Sequence, residues 1–303
     1  NVTAVLEFKL LGFSSNPYHQ ILLFMVGLVT YIVTILGNII IILVVTLESQ
    51  LHSPMFKFLQ NLSFLEVCYT TTIVPKMLSN LLAKRKSISF LGCMAQLYYF
   101  IFLGVMECYL LAVMAYDRFL AICQPLQYGV IMTEESYTRL ATGSWVTGVL
   151  TGFLPCLMVS RLHFCSYNLI DHFFCDISPL LRLSCSDTTV TEAVVFILSF
   201  LVLSSCFLLT LVSYLLIILT ILKIPSASGK RVTFSTCSSH LMVVTIYYRP
   251  MISMYVRPTY NLSSELSKAA SVLYTVVTPL LNPVIYSLRN KAFKKALGKT
   301  VFR

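Results

Sequence analysis

Among the ionisable residues within otherwise apolar stretches of this chain, five could carry function: Glu66, Glu107, Asp117, Arg118 and Arg249. Charged groups in a low-dielectric setting are costly, so they mark function or pairing. Glu66 and Glu107 are like carboxyls; held close together, they cannot both stay ionised cheaply. A shared proton, a bound cation or a basic neighbour would relieve them. Asp117 and Arg118 are adjacent and can pair, or they can be two side chains snorkelling at a helix end. Arg249 precedes Pro250, which should kink a helix. It has three readings: a pair with an internal acid such as Glu107, an outward-snorkelling charge, or a carboxylate-binding group in a cavity. No His-x-x-x-His, Gly-x-Ser-x-Gly or paired catalytic Asp motif stands in an apolar stretch. His240 lacks a metal-ligand neighbour in sequence, and Lys268 lies too near the edge of its stretch to form a buried Schiff base. The expectation is no enzyme, no catalytic residue, no metal and no cofactor.

The chain has 303 residues, 57% hydrophobic and 11% charged. Soluble domains carry about 25% charged residues, so a soluble body, a disordered chain and a collagen-like fibre are all disfavoured. The net charge of +10 points to unevenly placed basic residues on a membrane protein rather than to nucleic acid.

Seven apolar stretches are long enough to cross a bilayer, at about 21–47, 54–82, 90–122, 140–159, 190–222, 232–256 and 266–288. The expected fold is an all-α membrane bundle of seven spans, one domain over 1–303, with 1–20 outside and 289–303 in the cytoplasm. The tail is acid-free and holds Lys291, Lys294, Lys295, Lys299 and Arg303, while Lys223, Lys230 and Arg231 precede span six. Basic residues favour the cytoplasmic side; Lys84, Arg85 and Lys86 are an outer exception. Asn1-Val2-Thr3 is a glycosylation sequon that suits an outer N-terminus. Asn261-Leu262-Ser263 falls on the same side, whereas Asn61-Leu62-Ser63 lies within a span and is read as a chance match. No signal peptide is visible, and the first span can serve as its own insertion signal. No repeat suggests a transporter of matching halves.

Of ten cysteines, Cys93, Cys165, Cys175 and Cys185 fall on the outer side. Two disulfides are expected there, with three connectivities open. Zinc with His163 and His172 is the competitor, but the spacing does not resemble a zinc knuckle.

Several strings then coincide. Span three ends Met114-Ala115-Tyr116-Asp117-Arg118-Phe119-Leu120-Ala121-Ile122-Cys123. Span two opens Ser53-Pro54-Met55-Phe56-Lys57-Phe58-Leu59 and ends Pro75-Lys76-Met77-Leu78. Span six opens Thr233-Phe234-Ser235-Thr236-Cys237-Ser238-Ser239-His240, and span seven ends Pro279-Leu280-Leu281-Asn282-Pro283-Val284-Ile285-Tyr286-Ser287-Leu288-Arg289-Asn290. With Gly37-Asn38 in span one, the whole chain resembles the odorant (olfactory) receptors, closest to their tetrapod-type class, within the rhodopsin-like G-protein-coupled receptors.

The resemblance implies disulfides Cys93–Cys175 and Cys165–Cys185. It makes Arg118 an inner latch with Asp117 as its partner, moving together with Tyr214, His240, Asn282, Pro283 and Tyr286 when a G protein binds. Glu66 stands where many receptors of the superfamily have an Asp that takes part in a sodium site, and together with the two buried carboxyls this leads us to expect a shared proton or cation site formed by Asn38, Glu66, Glu107 and Asn282. The resemblance also implies a ligand cavity between spans three, five, six and seven. Helical spacing nominates Leu97, Tyr98, Ile101, Gly104, Val105 and Cys108, then Leu198, Ser199, Val202, Tyr248, Met251, Ile252 and Tyr255, then Val272 and Thr275; for any one of them, simple helix packing is the competing reading. Phe100 or Ile101 occupies the place where amine receptors keep an Asp, which disfavours an aminergic role. Such a receptor would bind small, volatile, largely hydrophobic odorants and activate a stimulatory, olfactory-type G protein. Its partners would be odorant, G protein and membrane lipids, with no nucleic acid. Its place would be the plasma membrane, in the cilia of olfactory neurons. Phe293 amid Lys291, Lys294 and Lys295 suggests a short amphipathic helix on the inner leaflet. An ion channel is the alternative from another class.

Overall fold

The computed structural model describes residues 5–13, 16–165, 168–223, 226–255 and 264–301. Six long helices run from Pro17–Leu47 (α1), Pro54–Leu82 (α2), Phe90–Cys123 (α3), Glu134–Ser160 (α5), Thr189–Lys223 (α7) and Ala227–Tyr255 (α8). The seventh is composite: Ser264–Val272 (α9), a π-helical turn at Leu273–Val277 and Thr278–Arg289 (α10). Short helices Pro125–Ile131 (α4) and Ile177–Leu183 (α6) lie in the connections, and Lys291–Val301 (α11) follows the bundle. By length and composition, α1, α3, α5, α7 and Glu265–Ile285 can each cross a membrane. The other two long helices, α2 and α8, match them in length but carry more polar side chains. In α2 these include Glu66, Thr70 and Asn80, all turned into the bundle.

Helix starts lie earlier than the apolar runs because caps, not hydropathy, set them. The Asn16 side chain accepts from Tyr18 N with Pro17 at the first turn. Thr133 accepts from Ser136 N and Glu134 and Glu135 fill the first turn of α5. The uninterrupted seventh span expected from sequence is broken by the π turn. Pro279 offers no N–H, and the ladder resets just before it, with the Thr278 hydroxyl donating to Leu273 O at 3.1 Å.

Helix α3 is the axis of the bundle. Along α5, Ala141, Ser144, Gly148, Gly152, Pro155 and Val159 are buried in one stripe, which lets its backbone approach α3 closely. A Cβ on Gly148 would stand 2.7 Å from Phe102 O.

A small sheet at the end of the bundle that carries the N-terminus, the end expected to face outward, went unforeseen in an all-helical reading. Glu7–Leu10 (β1) pairs antiparallel with Ser87–Ser89 (β2), with Phe8 opposite Ile88, and parallel with Leu169–Ile170 (β3). Phe8 is fully buried against Phe90 and Phe164.

Candidate functional site

A cavity of about 590 Å³, its open mouth included, lies under the outer face. Helix α3 contributes Phe100, Ile101, Gly104, Val105 and Cys108; α5 contributes Thr151 and Pro155; α6 contributes Ile177. Helix α7 contributes Val195, Leu198, Ser199, Val202 and Leu203, and α8 contributes Met251. Eight of the nominated residues are therefore here: Ile101, Gly104, Val105, Cys108, Leu198, Ser199, Val202 and Met251.

Six others are displaced by their own contacts. Leu97 is buried in the outer packing with Cys93 and Cys175. Tyr98 donates to Val149 O at 3.4 Å. Tyr248 donates to Cys108 O at 3.1 Å from behind the cavity wall. Ile252 is exposed on the bundle surface. Val272 packs on the main core, and Thr275 is spent on Ser271 O at 2.7 Å. The Tyr255 side chain lies outside the described residues. Among the described residues, the fourth long helix takes the place expected of the seventh. Phe100, Thr151, Pro155, Ile177, Val195 and Leu203 were missed; Val195 and Phe100 could have been found by extending the helical period one turn from Ser199 and Gly104.

Beneath the cavity is a buried polar cluster. Asn282 Nδ2 donates to Glu66 Oε1. Asn38 Nδ2 donates to Thr34 O at 3.0 Å and Pro279 O at 3.3 Å. Glu107 is fully buried and lies close enough to Glu66 for the two carboxyls to interact electrostatically. Five oxygens here are buried without a hydrogen-bond partner: Asn38 Oδ1, Glu66 Oε2, both Glu107 oxygens and Asn282 Oδ1. Buried polar atoms are rarely left so. A set made only of oxygens suits a proton or a hard cation.

At the inner end, Tyr128 of α4 donates to Asp117 Oδ1 at 2.8 Å. This corrects the expected Asp117–Arg118 pair: neighbours on a helix point about 100° apart. Among the described residues, Arg118 makes no ion pair within 4.0 Å of an acid, although it lies in electrostatic range of Asp117, His240 and Cys237. The Tyr214 hydroxyl and His240 Nδ1 are 2.6 Å apart and their rings stack. Pro283 lies in α10, its Cβ facing Gly37 of α1. The Tyr286 side chain is outside the described residues.

The outer cap is fastened at several points. Cys93 is bonded to Cys175 and Cys165 to Cys185, with Cα separations of 5.5 and 5.7 Å, so these thiols are not zinc ligands. Cys175 N donates to Gln96 Oε1 at 3.0 Å. Lys268 of α9 holds Asp171 at 2.7 Å. His172 is buried between Phe173 and Phe174, its Nε2 3.3 Å from the Ser271 hydroxyl. Burial and nearby Lys268 push His172 down to about 3. Arg249 is exposed on α8 and has no ion pair among the described residues, so neither Glu107 nor the cavity holds it. Asn61 accepts from Trp145 Nε1 at 3.4 Å within the α2–α5 contact. Asn1 and Asn261 lie outside the described residues.

Seven long helices, a cap disulfide to the third and a buried acid at that helix's inner end define a rhodopsin-like seven-transmembrane receptor. The sequence profile described as "Olfactory receptor" matches residues 27–303. The chain is 59% identical over 303 residues to Olfactory receptor 11L1 of Homo sapiens, covering 100% of this chain and 94% of that protein. It is 48% identical over 301 residues to Olfactory receptor 6B9 of Mus musculus, covering 99% and 95%, and 49% identical over 301 residues to Olfactory receptor 10A7 of Homo sapiens, covering 99% and 95%. The chain belongs to the olfactory receptor family, G-protein-coupled membrane receptors for odorants and not enzymes.

Proposed function

We propose that this receptor binds small, volatile, largely hydrophobic odorants in the cavity between α3, α5, α7 and α8, and activates a stimulatory, olfactory-type G protein to raise cAMP. The observation that carries this is the cavity lining. Among the described residues that line it, those with a polar side-chain hydrogen are Cys108, Thr151 and Ser199. Such a wall selects by shape and apolar contact, with one or two weak anchors. The test is a cAMP reporter read against an odorant panel. Val105→Trp, which adds bulk to the cavity wall, should lower potency at least tenfold, and Arg118→Ala should abolish the signal while surface expression persists. Odorant-gated current without any G protein would overturn the reading.

The Asn38, Glu66, Glu107 and Asn282 cluster is proposed as a proton or cation site that couples the cavity to the inner switch of Asp117, Arg118, Tyr214, His240, Asn282, Pro283 and Tyr286. Its support is the five unpartnered oxygens. Glu107→Gln should change basal signalling and any sodium dependence; wild-type behaviour in both would make the cluster purely structural. One domain spanning the plasma membrane of olfactory cilia, N-terminus outside and glycosylated at Asn1, fits the basic tail and the disulfide-bonded cap. Glycosidase mapping of Asn1→Gln tests that orientation.

A further inference from the structure

We propose that odorants reach the cavity sideways from the lipid, through the seam between α5 and α7, and not through the outer face. The proposal rests on the cavity being the odorant site. Two observations carry it together: a roof that is tied down at several points among the described residues, and a thin side wall.

The roof has no give. Phe173, Phe174, Asp176 and Leu180 are all essentially fully buried. The Cys93–Cys175 bond pins the loop to α3, the Asp171–Lys268 pair ties it to α9, and β1 covers it through pairing with β3. A ligand coming through this described part of the roof would have to part those ties.

The side wall is different. Thr151 of α5 and Val195 and Ser199 of α7 line the cavity and are only half-buried. Their immediate neighbours, Leu150, Leu154, Phe196 and Phe200, stand on the membrane-facing surface, 44–68% exposed. The wall there is one side chain thick. The Thr151 and Ser199 hydroxyls make no hydrogen bond across the seam among the described residues, whereas α5 is held to α3 so closely that Gly148 has no room for a Cβ. Apolar ligands leave water for lipid spontaneously, so the membrane delivers them concentrated to this wall.

The test uses a diazirine derivative of octanol as an apolar photoreactive probe on the full receptor in lipid nanodiscs. Labelling of cavity residues is followed by mass spectrometry after rapid mixing and after washout. Leu154→Trp, which thickens the wall from its lipid side, should lengthen both half-times about tenfold, and Phe196→Ala, which thins it from the opposite helix, should shorten them, each with little change in final extent because neither residue lines the cavity. Lys268→Met, which loosens the roof, should leave both half-times unchanged. Unchanged half-times in both seam variants, a loss of final extent alone, or acceleration by Lys268→Met would each overturn the route. No equilibrium label in the wild-type cavity would remove the cavity reading itself, and the route with it.

Discussion

Single side chains decide how tightly the helices meet and how the cap responds to acid. Gly148 faces the Phe102 carbonyl at a distance no Cβ can share, so Gly148→Ala must push α5 off α3. The expected cost is about 1–3 kcal/mol, read as a lower melting temperature in detergent. His172 is neutral in the docked cap, held at about 3 by burial and Lys268, with Asp171 opposing. Once released, it would titrate near its ordinary value of 6.5. The docked cap is thus unpenalised above that value and loses stability as pH falls from 6.5 toward 3, at up to about 1.4 kcal/mol per pH unit. The melting temperature of wild type should drop more between pH 7.5 and 5 than that of His172→Gln. Arg249 makes the opposite point: it is exposed, away from the cavity. Arg249→Gln should leave relative potencies of carboxylic acids and their neutral analogues unchanged in the cAMP assay; selective loss of the acids would show that the side chain turns inward on binding.

At the scale of elements, the long helices and their order were legible because a spanning helix is written locally, as about 20 apolar residues. The Glu66–Asn282 contact and the Cys93–Cys175 bond were legible through the resemblance, since the motif strings mark those positions. The cavity was only half legible. Periodicity names one face of a helix but not its depth or its neighbour, so Thr151 and Pro155 were overlooked, and Val272 and Thr275 do not line the described cavity. The outer sheet was illegible for another reason: β3 is two residues long, too short for an alternating pattern. Tyr128 was missed because its partner, Asp117, lies across a loop with no motif of its own. These connections carry testable weight. Cys93→Ser should cost about 2–5 kcal/mol and abolish surface expression, whereas an alternative Cys93–Cys165 bond would show in a non-reducing peptide map.

For the whole molecule, the excess positive charge has a structural address. Lys294, Lys295 and Lys299 are exposed on α11, while Phe293 and Ala296 are buried against the bundle. The helix is therefore docked by its apolar face and presents its lysines outward. Near an anionic leaflet each is worth about 1 kcal/mol. Wild-type receptor should melt at a higher temperature in phosphatidylserine nanodiscs than in neutral ones. Replacing the three lysines by glutamine should erase that difference, as should molar salt.

The π turn at Leu273–Val277 fits one more residue into the helix than an α-helical turn would hold. It sets the phase between the two halves of the seventh helix. Above it, Lys268 and Ser271 face the cap; below it, Asn282 faces Glu66. Straightening this turn into regular α-helix with its residue count unchanged would turn one half by about 100° relative to the other. The cap and the buried carboxyl cluster could then no longer both be engaged by the same helix, so the number of residues in this turn matters as much as their identity.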